Sequence, residues 1–143
     1  MKVGDVMTRS VEVIHPDATI DEAAEKMKAF DVGPLPVCDG DRLVGMITDR
    51  DITVRATAEE RDPVTTRVSE VMTPDVVYTF EDADVEEAAR LMEQHQLRRL
   101  VVMNRDKRLV GIVSLGDLAV RTPNEQRTGE VLEEVSRPSE PER

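Results

Sequence analysis

Aromatic side chains are nearly absent: Phe30, Tyr78 and Phe80 are the full set, and there is no tryptophan. Single-stranded nucleic acid is usually held on aromatic platforms against which bases stack, so that class of function has little support here. One cysteine, Cys38, excludes an internal disulfide and a multi-cysteine zinc site. No apolar run approaches the ~20 residues of a membrane-spanning helix. Met1 to Ser10 shows neither a basic start leading into a long apolar stretch nor a small-residue cleavage site, and the expectation is a cytoplasmic protein. Positive charge is the minority sign. The 19 basic against 30 acidic residues leave a net charge of −11, a field that repels nucleic-acid backbones and anionic membrane surfaces. What the 143 residues do contain is 39% hydrophobic and 34% charged, the composition of a globular protein stabilised by aliphatic packing.

The chain contains one unit twice. Val3-Gly4-Asp5-Val6-Met7-Thr8 returns 65 residues later as Val68-Ser69-Glu70-Val71-Met72-Thr73, and Asp17 to Ala24 returns as Asp82 to Ala89 at the same displacement. Arg42-Leu43-Val44-Gly45 returns as Arg108 to Gly111, displaced by 66, so the turn Asp39 to Asp41 has lengthened by one residue to Asn104 to Lys107. A length change at that place predicts a hairpin loop. The spacing predicts a strand over Val11 to Ile14, ended by Pro16, and a counterpart over Val76 to Phe80. A helix then opens on Thr19-x-x-Glu22, and on Asp84-x-x-Glu87, each with the spacing of a capping box. Ile20, Ala23, Ala24 and Met27, and likewise Val85, Ala88, Ala89 and Met92, form one apolar face of each helix. Hairpins follow over Leu35 to Cys38 with Leu43 to Thr48, and over Leu100 to Met103 with Leu109 to Ser114, each leading into a second helix.

The fold class expected is α/β (α+β): two tandem β-α-β-β-α motifs packed with pseudo-two-fold symmetry. The motifs span 1–57 and 67–122, with a linker at 58–66 and a partly disordered tail at 123–143, and together they form one domain. About sixty residues is small for an independent core, which favours the copies packing together. In the tail, Gly129 to Val135 has the makings of an amphipathic turn and Pro138 onward of a disordered end.

Both copies end their last strand on hydroxyl-x-x-carboxylate, Thr48 to Asp51 and Ser114 to Asp117. One reading needs no ligand: a hydroxyl three residues before an acid at a helix start is close to a capping box, worth about 1 kcal/mol. The other uses the same geometry to hold a phosphate near the hydroxyl and ribose hydroxyls on the carboxylate. His15 and His95 lack ligand-spaced partners and are read as surface or capping residues, with no metal. Cys38 sits in an apolar strand as a small packed side chain; an exposed thiol there would instead be open to oxidants. Met7, Met27, Met46, Met72, Met92 and Met103 fall at apolar positions and are read as core filling. No Ser-His-Asp set, glycine-rich phosphate loop or pair of catalytic acids stands out, so no catalysis is expected.

Asp5-Val6-Met7-Thr8, Leu35-Pro36-Val37 and Leu43 to Asp51, echoed by Glu70 to Thr73, Arg98 to Val102 and Leu109 to Asp117, resemble a tandem pair of cystathionine-β-synthase (CBS) domains, the Bateman module, in order, duplication and spacing. The closest likeness is to short stand-alone bacterial CBS-pair proteins. The resemblance implies a non-catalytic regulatory module that binds AMP, ADP, ATP or S-adenosylmethionine in a cleft between its motifs, needs no other cofactor, forms a homodimer and acts on a protein target. Carried over residue by residue, it places Asp51 and Asp117 on ribose hydroxyls and Thr48 and Ser114 near phosphates. It also has each cleft borrow the leading segment of the opposite copy: Gly4, Asp5, Val11 and Glu12 for the Ser114 cleft, and Ser69, Glu70, Val76 and Val77 for the Thr48 cleft. Arg98 and Arg99 stand where the first copy has Gly33 and Pro34, and Arg99 resembles the family's phosphate-facing base. The competing readings are surface ion pairs for the two arginines, and for the whole chain a dimerisation or protein-interaction module with no ligand.

Overall fold

The computed structural model describes residues 1–121, 130 and 132–135. The chain forms two compact units, Glu12–Val76 and Met1–Val11 joined with the chain from Val77 onward. The folded units therefore differ from the sequence repeats. Each repeat gives up its leading segment to the unit built from the other.

In the Glu12–Val76 unit, α1 (Ile20–Phe30) follows an N-cap at Thr19, whose side chain accepts from Glu22 N while Glu22 closes the box back onto Thr19 N. It ends where Asp31 turns left-handed, at φ 52°. Ile20, Ala23 and Met27 are buried, whereas Ala24 is exposed, so the apolar face is narrower than the spacing implies. β1 (Pro34–Asp39) and β2 (Arg42–Thr48) pair antiparallel around a turn in which Gly40 takes φ +63°. The chain then enters α2 (Asp49–Asp51), which widens at once into a π-helical turn over Ile52–Thr57, with Ala58 N bonded to Thr53 O. α3 (Val68–Val71) comes from the second sequence repeat and buries Val68 and Val71 beside Ile20, Leu35, Val37 and Ile47.

The strand expected over Val11 to Ile14 shrinks here to a single parallel bridge, Ile14 to Val37. Ile14 N donates to Pro36 O and Cys38 N to Ile14 O. The next rung back would need a donor at Pro36, which has no N–H, and Pro16 blocks the other side. In the second unit Val101 stands at the place of Pro36, and β3 (Tyr78–Phe80) pairs in parallel with Val101, Val102 and Met103.

That unit continues with α4 (Val85–His95), β4 (Arg99–Met103), β5 (Leu109–Ser114) and α5 (Leu115–Arg121), the sheet running β3-β4-β5. The box expected at Asp84-x-x-Glu87 does not form: Asp84 makes no side-chain cap and faces Lys2 Nζ at 4.0 Å. The leading segment takes over the role, because Met1 O accepts from Val85 N. The Val3–Asp5 helical turn buries Val3 and leads to Val6 and Met7, and all three join Met92, Leu100, Val102 and Val113 in the core. Within the tail, residues 130 and 132–135 are helical and Val135 is buried in the same core. The end expected to be disordered from Pro138 lies outside the described residues.

Each unit fastens its borrowed leading segment in the same way. Thr8 and Ile112 exchange both backbone hydrogen bonds, at 2.8 and 2.9 Å, as do Met46 and Thr73. Gly111 and Gly45 lie beneath these bridges, facing the Met7 and Met72 side chains. Met7, Met27, Met92 and Met103 are buried as core filling requires, while Met46 and Met72 are half-buried. Cys38 is 5% exposed, and burial, with Asp41 adding to it, pushes its thiol pKa up, so the packed reading holds. Among the described residues no helix is long and apolar enough to cross a membrane.

Candidate functional site

β2 and β5 end on Thr48 and Ser114, and the chain turns directly into a helix at both places. Each junction closes a reciprocal box. Asp51 N donates to Thr48 Oγ1 at 3.1 Å and Thr48 N to Asp51 Oδ2 at 2.9 Å. Asp117 N donates to Ser114 Oγ at 3.0 Å and Ser114 N to Asp117 Oδ2 at 2.8 Å. The capping reading is thus realised in both copies.

It leaves the chemistry needed for a ligand in place. A hydroxyl that accepts one bond still has its proton to donate, and a carboxylate bound through one oxygen has a second with which to accept. The box fixes the direction of both groups before anything binds. The four residues are half-buried, between core and solvent. In the first unit the remaining oxygen, Asp51 Oδ1, lies 3.9 Å from Arg55 Nε, and the Asp51 side chain is 14% exposed.

The neighbouring strand distinguishes the copies. Arg99 is the register partner of Ser114, and Pro34 that of Thr48. Direct partners on antiparallel strands carry their side chains on one face of the sheet, which sets the exposed Arg99 guanidinium on the same side as the Ser114 hydroxyl. One residue earlier, Arg98 O accepts from Leu115 N at 2.7 Å, as Gly33 O accepts from Asp49 N at 3.1 Å. The Asp49 carboxylate stands against Gly33, with Oδ1 3.4 Å from where a Cβ would lie. The charge beside the two boxes therefore differs: Arg98 and Arg99 outnumber Asp117 in the second unit, whereas Asp49 and Asp51 are balanced by Arg50 and Arg55 in the first.

The remaining expected residues divide along the boundary of the units, which passes between Val11 and Glu12 and between Val76 and Val77. Gly4, Asp5 and Val11 share a unit with Ser114, and Ser69, Glu70 and Val76 share one with Thr48; Glu12, expected with Ser114, falls instead in the Thr48 unit, and Val77, expected with Thr48, in the Ser114 unit, because the chain crosses between units at those residues. Asp5 is exposed, and its carboxylate accepts from Lys2 N at 3.0 Å. Glu12 pairs with Lys26 Nζ at 3.5 Å. Val11, Val76 and Val77 are half-buried. The Glu70 carboxylate accepts from Arg67 N and pairs with Arg61, and these contacts, the backbone bond first, hold it below the usual glutamate range. His15 accepts from Asp17 N at 3.0 Å and faces Asp39 at 3.4 Å, a surface capping role. Asp49 and Arg55 complete the surroundings of the first box, and nothing in the spacing of the motif points to Asp49. Arg55 carried a signal, since Arg121 repeats it 66 residues later.

The CBS domain family model matches residues 3–56 and 68–121. The CBS domain-containing protein YhcV of Bacillus subtilis (strain 168) is 46% identical over 134 residues, 94% of this chain and 94% of YhcV. Among solved structures, the chain is similar to CBSX2 in complex with AMP, 31% identical with a TM-score of 0.73, over 83% of this chain and 93% of that one. It is also similar to the CBS domain pair of protein MJ0100 in complex with methylthioadenosine and S-adenosyl-L-methionine, 29% identical with a TM-score of 0.73, over 84% of this chain and 94% of that one.

Proposed function

This chain belongs to the CBS-domain family as a tandem pair, and from that premise we propose that it is a cytoplasmic, non-catalytic regulatory module that binds an adenosine-containing ligand, AMP, ADP, ATP or S-adenosylmethionine, and signals by conformational change to a protein target. The observation that carries the reading is the pair of boxes. Each presents a hydroxyl proton and a carboxylate oxygen that the box does not use at the end of a strand, a donor for phosphate and an acceptor for ribose. The relatives solved with AMP and with S-adenosyl-L-methionine support the same ligand class. Thr48 and Asp51 serve the first site with Glu12 and Val76. Ser114 and Asp117 serve the second with Arg98, Arg99, Asp5, Val11 and Val77. Signalling requires the ligand to bind one arrangement of the protein more tightly than another.

The second site is the better phosphate binder because Arg99 shares a face with Ser114. Arg99→Ala is expected to weaken AMP binding about tenfold, the scale of one charge-assisted hydrogen bond, and to leave adenosine binding unchanged. Equal losses for AMP and adenosine, or none for either, would remove Arg99 from the site. The assembly proposed is a homodimer, supported by the apolar surface at Phe30 and Val32, 52% and 37% exposed. Light scattering should return twice the 16.0 kDa chain mass; a monomer at working concentration would contradict it. The same apolar surface favours the second reading, an interaction module with no ligand, which predicts a dimer that binds no adenosine compound.

A further inference from the structure

Arg55 lies outside both boxes yet touches two parts of the first unit that a ligand would have to connect. Its Nη1 donates to Val71 O at 3.4 Å and to Met72 O at 3.3 Å, the carbonyls at the end of α3 and the start of the segment fastened to β2. Its Nε lies 3.9 Å from Asp51 Oδ1, the oxygen that the box leaves unused. The side chain is 52% exposed, so the core does not fix its position and these contacts do.

We infer that Arg55 is a positioning residue through which occupation of Asp51 is transmitted to the Val68–Thr73 segment. The inference rests on the proposed adenosine site. A guanidinium is planar, with donors on three nitrogens, and so holds a carboxylate and two carbonyls at once, which a lysine cannot match. While Asp51 Oδ1 is free, its charge draws Nε and the plane of the guanidinium is shared with the Val71 and Met72 carbonyls. A ribose hydroxyl donating to Oδ1 satisfies part of that charge and changes the hold on Nε. The guanidinium then redistributes its donors toward the two carbonyls. Because Thr73 is bonded to Met46 on β2, a tighter hold on Met72 stabilises the bridge beside it.

The test is amide hydrogen exchange over residues 68–73 with and without saturating AMP, together with calorimetric titration of AMP, in the wild type, Arg55→Ala and Arg55→Lys. In the wild type AMP is expected to slow exchange at Met72 and Thr73 by at least threefold. Arg55→Ala should still bind AMP, within about fivefold of wild-type affinity, but lose that slowing; Arg55→Lys should keep part of it. A residue with a merely structural role would raise exchange equally with and without AMP and leave the ligand-induced difference intact. Retention of the full slowing in Arg55→Ala would overturn the inference and leave the ligand site standing. Absence of saturable binding of AMP, ATP and S-adenosylmethionine alike to the wild type would overturn both.

Discussion

Gly111→Ala is expected to destabilise the protein by about 3 kcal/mol and to lower the thermal midpoint by about 10 °C, and Gly45→Ala to do nearly the same. A Cβ on Gly111 would lie 2.7 Å from both Met7 Sδ and Thr8 O, and one on Gly45 would lie 2.6 Å from Met72 Sδ and 2.9 Å from Thr73 O. The thioethers are flexible and could turn aside. The carbonyls cannot, because each belongs to a residue held by two backbone hydrogen bonds to the strand that carries the glycine. Relief therefore means parting the bridge, which lifts Met7 out of one core or shifts the half-buried Met72 against the other. Gly116→Ala is the control: its nearest neighbour would be Ser114 Oγ at 3.5 Å, ordinary contact, and alanine favours a helix by up to about 1 kcal/mol over glycine. Thermal unfolding of the three variants decides the matter. Equal midpoints for Gly111→Ala and Gly116→Ala would contradict the close approach.

Removal of Met1 to Val11 is expected to unfold the second unit and spare the first. Val3, Val6 and Met7 are at most 5% exposed and lie among residues of the second unit. Burying each such side chain contributes about 1.5–3 kcal/mol, so their joint loss approaches the 5–15 kcal/mol that holds a whole domain together. The truncation also strips the backbone acceptor from Val85 N, the donors that Val3 and Gly4 give to Ala83 and Glu81, and the Thr8 bridge. Hydrogen exchange on the truncated chain should show protection gone from Val85–His95 and Leu109–Ser114 and kept in Ile20–Phe30 and Arg42–Thr48. Were the sequence repeats the folded units, the opposite pattern would appear, because the missing residues belong to the first repeat.

That exchange of leading segments marks the limit of what pattern reading conveys about the fold. Repetition and periodicity are local, and they located both long helices, both hairpins and the lengthened turn at Asn104, whose side chain accepts from Asp106 N and Arg108 N. Which unit the Val3–Thr8 segment joins depends on long-range pairing, which its own residues do not encode; only the resemblance to CBS pairs anticipated the crossover. Two local expectations failed for identifiable reasons: Pro36 removes the donor that a longer Val11 to Ile14 strand requires, and at Asp84 a backbone carbonyl from Met1 supplies the cap. At the candidate site, hydroxyl-x-x-carboxylate was legible because a capping box is a three-residue relation. The stance of Asp49 over Gly33 and the reach of Arg55 to Val71 and Met72 depend on tertiary geometry and were not.

Asp51 and Asp117 are the residues on which binding of an adenosine-containing ligand depends in the proposed function. Calorimetric titration of AMP into the wild-type chain and into an Asp51→Ala, Asp117→Ala double variant, shown by circular dichroism to remain folded, tests it most directly. Saturable heat is expected for the wild type and none for the double variant. Saturable heat of equal affinity in both, or no heat in the wild type with AMP, ATP or S-adenosylmethionine, would contradict it.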